Sequence, residues 1–85
     1  MTSEMRALSE GRIKPRDALE DPSDVLGRCH MYDVLRRLPK LGDVGAKGLC
    51  LRFKIWPLEP LADVPFEQRR NLYAALPERV KNFEA

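Results

Sequence analysis

The chain has 85 residues, 44% of them hydrophobic and 33% charged, with a formal net charge of +2 at pH 7. That length allows one small domain with a modest core and leaves little room for an enclosed active site. No apolar run approaches the span of a membrane, and the polar, acidic stretch Met1–Gly11 lacks the apolar centre of a secretory signal, so a cytoplasmic location is the default expectation.

Residues 1–12 hold helix formers with weak apolar periodicity, and read as a helical or loosely ordered segment preceding a domain over 13–85. Pro15 suits a first helical turn, which predicts a short helix over Pro15–Glu20 with Ala18 and Leu19 inward. Asp21-Pro22-Ser23-Asp24 is a turn cluster, and Gly27 closes another. Met31, Val34, Leu35 and Leu38 then recur at the spacing of an amphipathic helix. Pro39 ends it, because the residue before proline avoids the α region.

Gly42 can supply unusual backbone angles for the turn that follows. Asp43 is expected to N-cap a helix over Val44–Phe53, whose Ala46, Leu49, Cys50 and Phe53 share one face. Ile55–Leu61 reads as an extended connector, with Trp56 packed in the core or at a hinge. Asp63-Val64-Pro65-Phe66-Glu67 starts another helix, with Phe66, Leu72, Tyr73 and Leu76 as its buried stripe. Pro77 opens a last helical turn ending near Phe83. No alternating strand pattern occurs, so an all-α fold of about four to five short helices is expected.

The charge is unevenly placed. Residues 1–27 carry −2, residues 28–54 carry +5 and residues 55–85 carry −1. The central excess surrounds the turn Leu38-Pro39-Lys40-Leu41-Gly42. A glycine turn leading into a helix presents backbone N–H groups and the positive helix end to an anion. With lysines and arginines around it, that anion is expected to be a nucleic-acid phosphate. Gly42 would allow close approach, and the N–H groups of Val44 and Gly45 would face the phosphate. Lys40 and Lys47 would neutralise it, with Arg36, Arg37, Arg52 and Lys54 as a wider set. Each has a plainer alternative: Lys40 and Lys47 as solvated lysines, Arg36 and Arg37 as partners of Asp33.

Other chemistry finds little support. Outside the carboxylates, only Cys29, His30 and Cys50 could ligate a metal, and a zinc site needs about four ligands at set spacings. No metal or cofactor is expected. There is no phosphate-loop signature and no Ser/His/Asp set, so no enzyme is expected either. His30 and Asp33 are an ordinary helical pair. The two cysteines are too few for a disulfide scaffold.

The run Asp24-Val25-Leu26-Gly27, then Val34-Leu35-Arg36-Arg37-Leu38-Pro39-Lys40-Leu41-Gly42 and Ala46, resembles the actinobacterial integration host factor family. Phe53-Lys54-Ile55, Leu61-Ala62-Asp63 and Gln68-Arg69-Arg70-Asn71-Leu72 keep that family's order and spacing, so the resemblance spans residues 13–76. It implies a helix-two-turn-helix domain like that of a small-subunit ribosomal protein. It also implies a nucleoid-associated protein that binds duplex DNA with little sequence preference, deforms it, and assists phage integration or transcription control; a monomer is expected. The family's contact surface carries over to Lys40, Gly42 and Lys47, and Gln68, Arg69 and Arg70 match a basic stretch of its last helix.

The chain departs from the family at Asp43, usually basic, at Gly45, usually arginine, and at Leu58-Glu59-Pro60, usually arginine-rich. Its N-terminal segment is also shorter and less basic, as in a trimmed phage-borne or accessory version. These departures keep a second function open. A protein-interaction module that retained the fold and lost DNA affinity would bind or titrate a host protein, through the apolar connector if that is exposed.

Overall fold

The order of short helices follows from the punctuation in the sequence: each proline or glycine cluster ends one element and starts the next. In a computed structural model, which describes residues 3–83, these are α1 (Ser3–Ser9), α2 (Pro15–Glu20), α3 (Asp24–Gly27), α4 (Met31–Arg37), α5 (Gly42–Arg52), α6 (Phe66–Ala75) and α7 (Glu78–Lys81). A 3-10 turn, Leu61–Asp63, sits in the connector between α5 and α6. The expected segments 1–12 and 13–85 include Met1, Thr2, Glu84 and Ala85, which lie outside the described residues. Among the described residues there is no strand, only one isolated bridge between His30 and Pro60. The fold is all-α, as expected.

The core forms where the apolar periodicities meet. α4 buries Met31, Val34 and Leu35, and α5 packs against it through Ala46, Leu49 and Cys50. Leu38, just past α4, is buried with them. α1 lies on α4 and α3, adding Met5 and Leu8. The second seam is α2 on α6, with α7 beside α2; Ala18, Leu19, Leu72, Leu76 and Val80 fill it. Leu61 and Val64 of the connector join the same core. Burying these side chains stabilises by roughly 1.5–3 kcal/mol for each large aliphatic one.

The connector differs from expectation in an instructive way. Its carbonyls turn inward: Glu59 O accepts from Met31 N–H at 2.8 Å, and Pro57 O accepts from Tyr32 N–H at 3.0 Å. Those are first-turn donors of α4, which no side chain caps. With the backbone facing α4, only Ile55, Leu61 and Val64 of the connector are buried in the core. Trp56 stands 62% exposed and Leu58 49% exposed, so Trp56 is not a core residue. Phe66 is likewise 50% exposed, outside the buried stripe expected of it. Its ring lies at the first turn of α6, with the Arg69 guanidinium 5.6 Å from the ring centroid.

Candidate nucleic-acid interface

The turn between α4 and α5 is held by two buried leucines, Leu38 and Leu41, with exposed Lys40 between them. Leu41 N–H donates to Leu38 O at 3.2 Å. Lys40 and Gly42 both adopt left-handed backbone angles, φ 73° and φ 78°. Gly42 does so without steric cost, whereas a side chain at Lys40 makes that conformation strained.

α5 begins at Gly42, two residues before the expected start, with Leu41 in the N-cap position. The Asp43 cap therefore does not form. Leu41 has no oxygen to offer, and its side chain is committed to the core. Asp43 falls instead in the first turn, where a negative charge favours the helix dipole. The first-turn N–H groups belong to Gly42, Asp43 and Val44, all exposed residues. No side chain caps this end. The contrast with α4 is direct, since connector carbonyls occupy the first donors there. Gly45 lies a step further along and has a packing role: a Cβ there would come within 2.7 Å of Leu41 Cδ1.

The exposed side of α5 carries Val44, Lys47, Gly48 and Leu51, at i, i+3, i+4 and i+7. Val44 is 85% exposed and Leu51 80% exposed. At the other end the helix closes in a Schellman turn. Ile55 N–H donates to Cys50 O at 2.9 Å and Lys54 N–H to Leu51 O at 3.2 Å. Lys54, at φ 56°, occupies the left-handed position that glycine usually fills. Gln68 Nε2 of α6 donates to Phe53 O at 3.0 Å and fastens this end. Both non-glycine residues with positive φ among the described residues are thus lysines, one beyond each end of α5.

Electrostatics separates these cations from those held in ion pairs. Lys40, Lys47, Arg52 and Lys54 are exposed and have no carboxylate partner among the described residues. Arg52 rests over the Phe53 ring, 5.4 Å from its centroid. Several cations elsewhere are paired, Arg12 with Glu10 at 2.6 Å, Arg16 with Glu20 at 2.8 Å, and Lys81 with Glu78 at 3.8 Å, whereas exposed Lys14 and Arg70 have no carboxylate partner among the described residues either. Arg36 binds Asp33 at 3.1 Å and lies over Tyr32. Arg37 is half-buried, and its Nε is enclosed without a hydrogen-bond partner among the described residues.

Arg69 points away from solvent. Its Nε donates to Val64 O at 2.9 Å, and Nη1 donates to Leu19 O at 2.8 Å. It ties α6 to the carbonyl end of α2, so its Nε and Nη1 donors are occupied within the fold. Arg70, the next residue, is exposed. The structure therefore brings Lys40, Gly42, Val44, Lys47, Arg52 and Lys54 onto one turn and helix, and sets Arg69 apart as an internal clamp. Burial raises the thiol pKa of Cys50, and burial with the nearby Asp33 carboxylate raises that of Cys29. Both cysteines are held toward the unreactive thiol form. Among the described residues no three His, Cys, Asp or Glu side chains gather into a metal-binding group.

No family model matches the sequence, and no curated protein matches it. A solved structure does. The fold is similar to that of sIHF, solved bound to an 8bp palindromic DNA, with a TM-score of 0.71. The match covers 84% of this chain and 82% of that one at 20% identity. Similarity at that level establishes a shared IHF-like, all-α fold.

Proposed function

We propose that this chain is a nucleoid-associated, largely sequence-nonspecific duplex DNA-binding protein of the actinobacterial integration host factor type. The observation that carries the reading is the uncapped N-terminus of α5 with exposed, unpaired Lys40 and Lys47 beside it, and exposed, unpaired Arg52 and Lys54 at the far end of the same helix. A phosphate seats on the first-turn N–H groups of Gly42, Asp43 and Val44, where the helix dipole favours negative charge. Lys40 and Lys47 neutralise it and its neighbour, and Arg52 and Lys54 extend the contact along the helix. Arg36 adds a weaker contribution because Asp33 shares its charge. The sIHF neighbour was solved on DNA, which supports the same ligand class here.

Phosphate contacts position the protein and carry no sequence information. About four such contacts give a log–log salt slope of roughly −3.6. Binding of this kind shapes DNA for integration or transcription without any chemistry at the site. The test is affinity for a labelled random-sequence duplex at two salt concentrations. Steep loss with salt, shared by unrelated sequences, is the expected result; absence of binding at low salt refutes the reading.

One observation favours the alternative of a host-protein partner. Trp56 and Leu58 stand exposed on the connector, where apolar surface suits a protein contact. That contact would persist in high salt and disappear on Trp56→Ala.

A further inference from the structure

A cleft of about 310 Å³ opens between the start of α2, the last turns of α6 and the end of α7. Lys14, Arg16, Tyr73, Lys81 and Phe83 line it, and among the described residues no carboxylate does. It is built on the α2–α6 seam and uses none of the residues of the α4–α5 turn. Lys81 and Phe83 also lie beyond residues 13–76, which carry the family resemblance.

The three cations are available to a ligand in different degrees. Lys14 has no ion-pair partner among the described residues. Arg16 gives its Nε to Glu20 but remains mostly exposed. Lys81 holds a long contact to the well-exposed Glu78, and its ammonium lies 5.8 Å from the Tyr73 ring centroid. At 3.8 Å, with the Glu78 carboxylate in solvent, that pair is weak, so an anion in the cleft competes readily for Lys81. Tyr73 and Phe83 are half-buried and present partial ring surface beside those charges.

Cations select phosphate, and aromatic walls select the flat face of a base. A base in a duplex hides both faces in the stack, so only an unpaired nucleotide can satisfy both features. The volume is at the lower bound for a small-ligand cleft, a fit for one nucleotide rather than a helix. We infer that this cleft is a single-stranded nucleic-acid site: it takes one unpaired nucleotide, with phosphate on Lys14 and Lys81 and the base against Tyr73 or Phe83.

The test titrates the full isotope-labelled chain with short oligothymidylate, thymidine monophosphate, inorganic phosphate and a closed hairpin duplex, followed by amide NMR. Oligothymidylate and the monophosphate should shift Lys14, Tyr73, Lys81 and Phe83. Phe83→Ala should weaken oligothymidylate binding about tenfold, the range of one lost base stack. Lys81→Gln, at a half-buried position outside the apolar core, should weaken it as well. Neither variant should alter hairpin affinity. The inference is overturned if those residues do not move, if inorganic phosphate shifts them as strongly as the nucleotide, or if Lys40→Glu with Lys47→Glu abolishes oligothymidylate binding. Failure of the duplex reading shows separately, as no hairpin binding whatever the oligothymidylate does.

Discussion

The α4–α5 turn and Arg69 on the α2–α6 seam both set cations near a helix end, and they aim them in opposite directions. At the seam, Arg69 turns inward and gives its donors to the carbonyls of Val64 and Leu19. The last carbonyls of α2 lack helical partners, and a guanidinium fork supplies them. At the turn, the orphan groups are the N–H donors of α5, and the chain provides no side-chain acceptor. The cations around it also have no carboxylate partners among the described residues. Arg69 is electrostatically closed and stabilises the fold, while Lys14, Arg16 and Lys81 line the cleft elsewhere on the seam. The head of α5 is electrostatically open. A count of basic residues does not distinguish the two roles; the polarity of the nearest helix end does.

The sharpest way to break this contrast is to exchange the roles. Arg69→Ala should destabilise the fold by about 2–3 kcal/mol, from lost charge-assisted bonds and stranded carbonyls. For a chain of this size that lowers Tm by roughly 10–20 °C, read by thermal circular dichroism. Duplex affinity measured in the cold, with the variant folded, should be unchanged. A stable Arg69→Ala variant that loses DNA would move Arg69 to the open region.

Lys40→Glu with Lys47→Glu should do the reverse. Affinity for duplex DNA falls by at least about tenfold at low salt, and the salt slope becomes shallower by about 1.8. Stability should stay within about 0.5 kcal/mol, because both residues are exposed. Equal affinity in a folded double variant would place the DNA surface elsewhere.

Lys54→Gly sharpens the comparison because its two readouts move in opposite directions. Removing a side chain from the left-handed position should raise stability by about 1 kcal/mol. Loss of the charge should cut the salt slope by about 0.9. A rise in stability with no change in slope would make Lys54 a helix-end residue only. The smallest effect is expected for Arg36→Gln. Its exposed pair with Asp33 contributes well under 1 kcal/mol, so chemical denaturation should barely change. Duplex affinity should fall less than in either lysine variant.

Much of the fold was legible because periodicity and punctuation agree. Pro15 and the pattern that follows place α2 at the boundaries observed. Met31, Val34, Leu35 and Leu38 are all buried, and the helix ends before Pro39 as the steric rule requires. The same holds for Ala46, Leu49 and Cys50 on α5.

Local rules failed where a long-range contact decided the outcome. Asp43 has the chemistry of a cap, but burial of Leu41 fixes where α5 begins. Trp56 has the chemistry of a core residue, but the connector must turn its carbonyls toward Met31 and Tyr32. Arg69 reads as a surface cation beside Arg70, yet its partner Leu19 is fifty residues away in sequence. The left-handed conformations of Lys40 and Lys54 carry no sequence signal, because glycine would mark such positions and lysine does not.

The most direct test is the salt dependence of binding to a random-sequence duplex, compared between the native chain and Lys40→Glu with Lys47→Glu. The account predicts a native slope of roughly −3.6, common to unrelated sequences, and a shallower slope with weaker binding in the variant. Binding that ignores salt, or no binding by the native chain at low salt, would contradict a phosphate-binding turn at the head of α5.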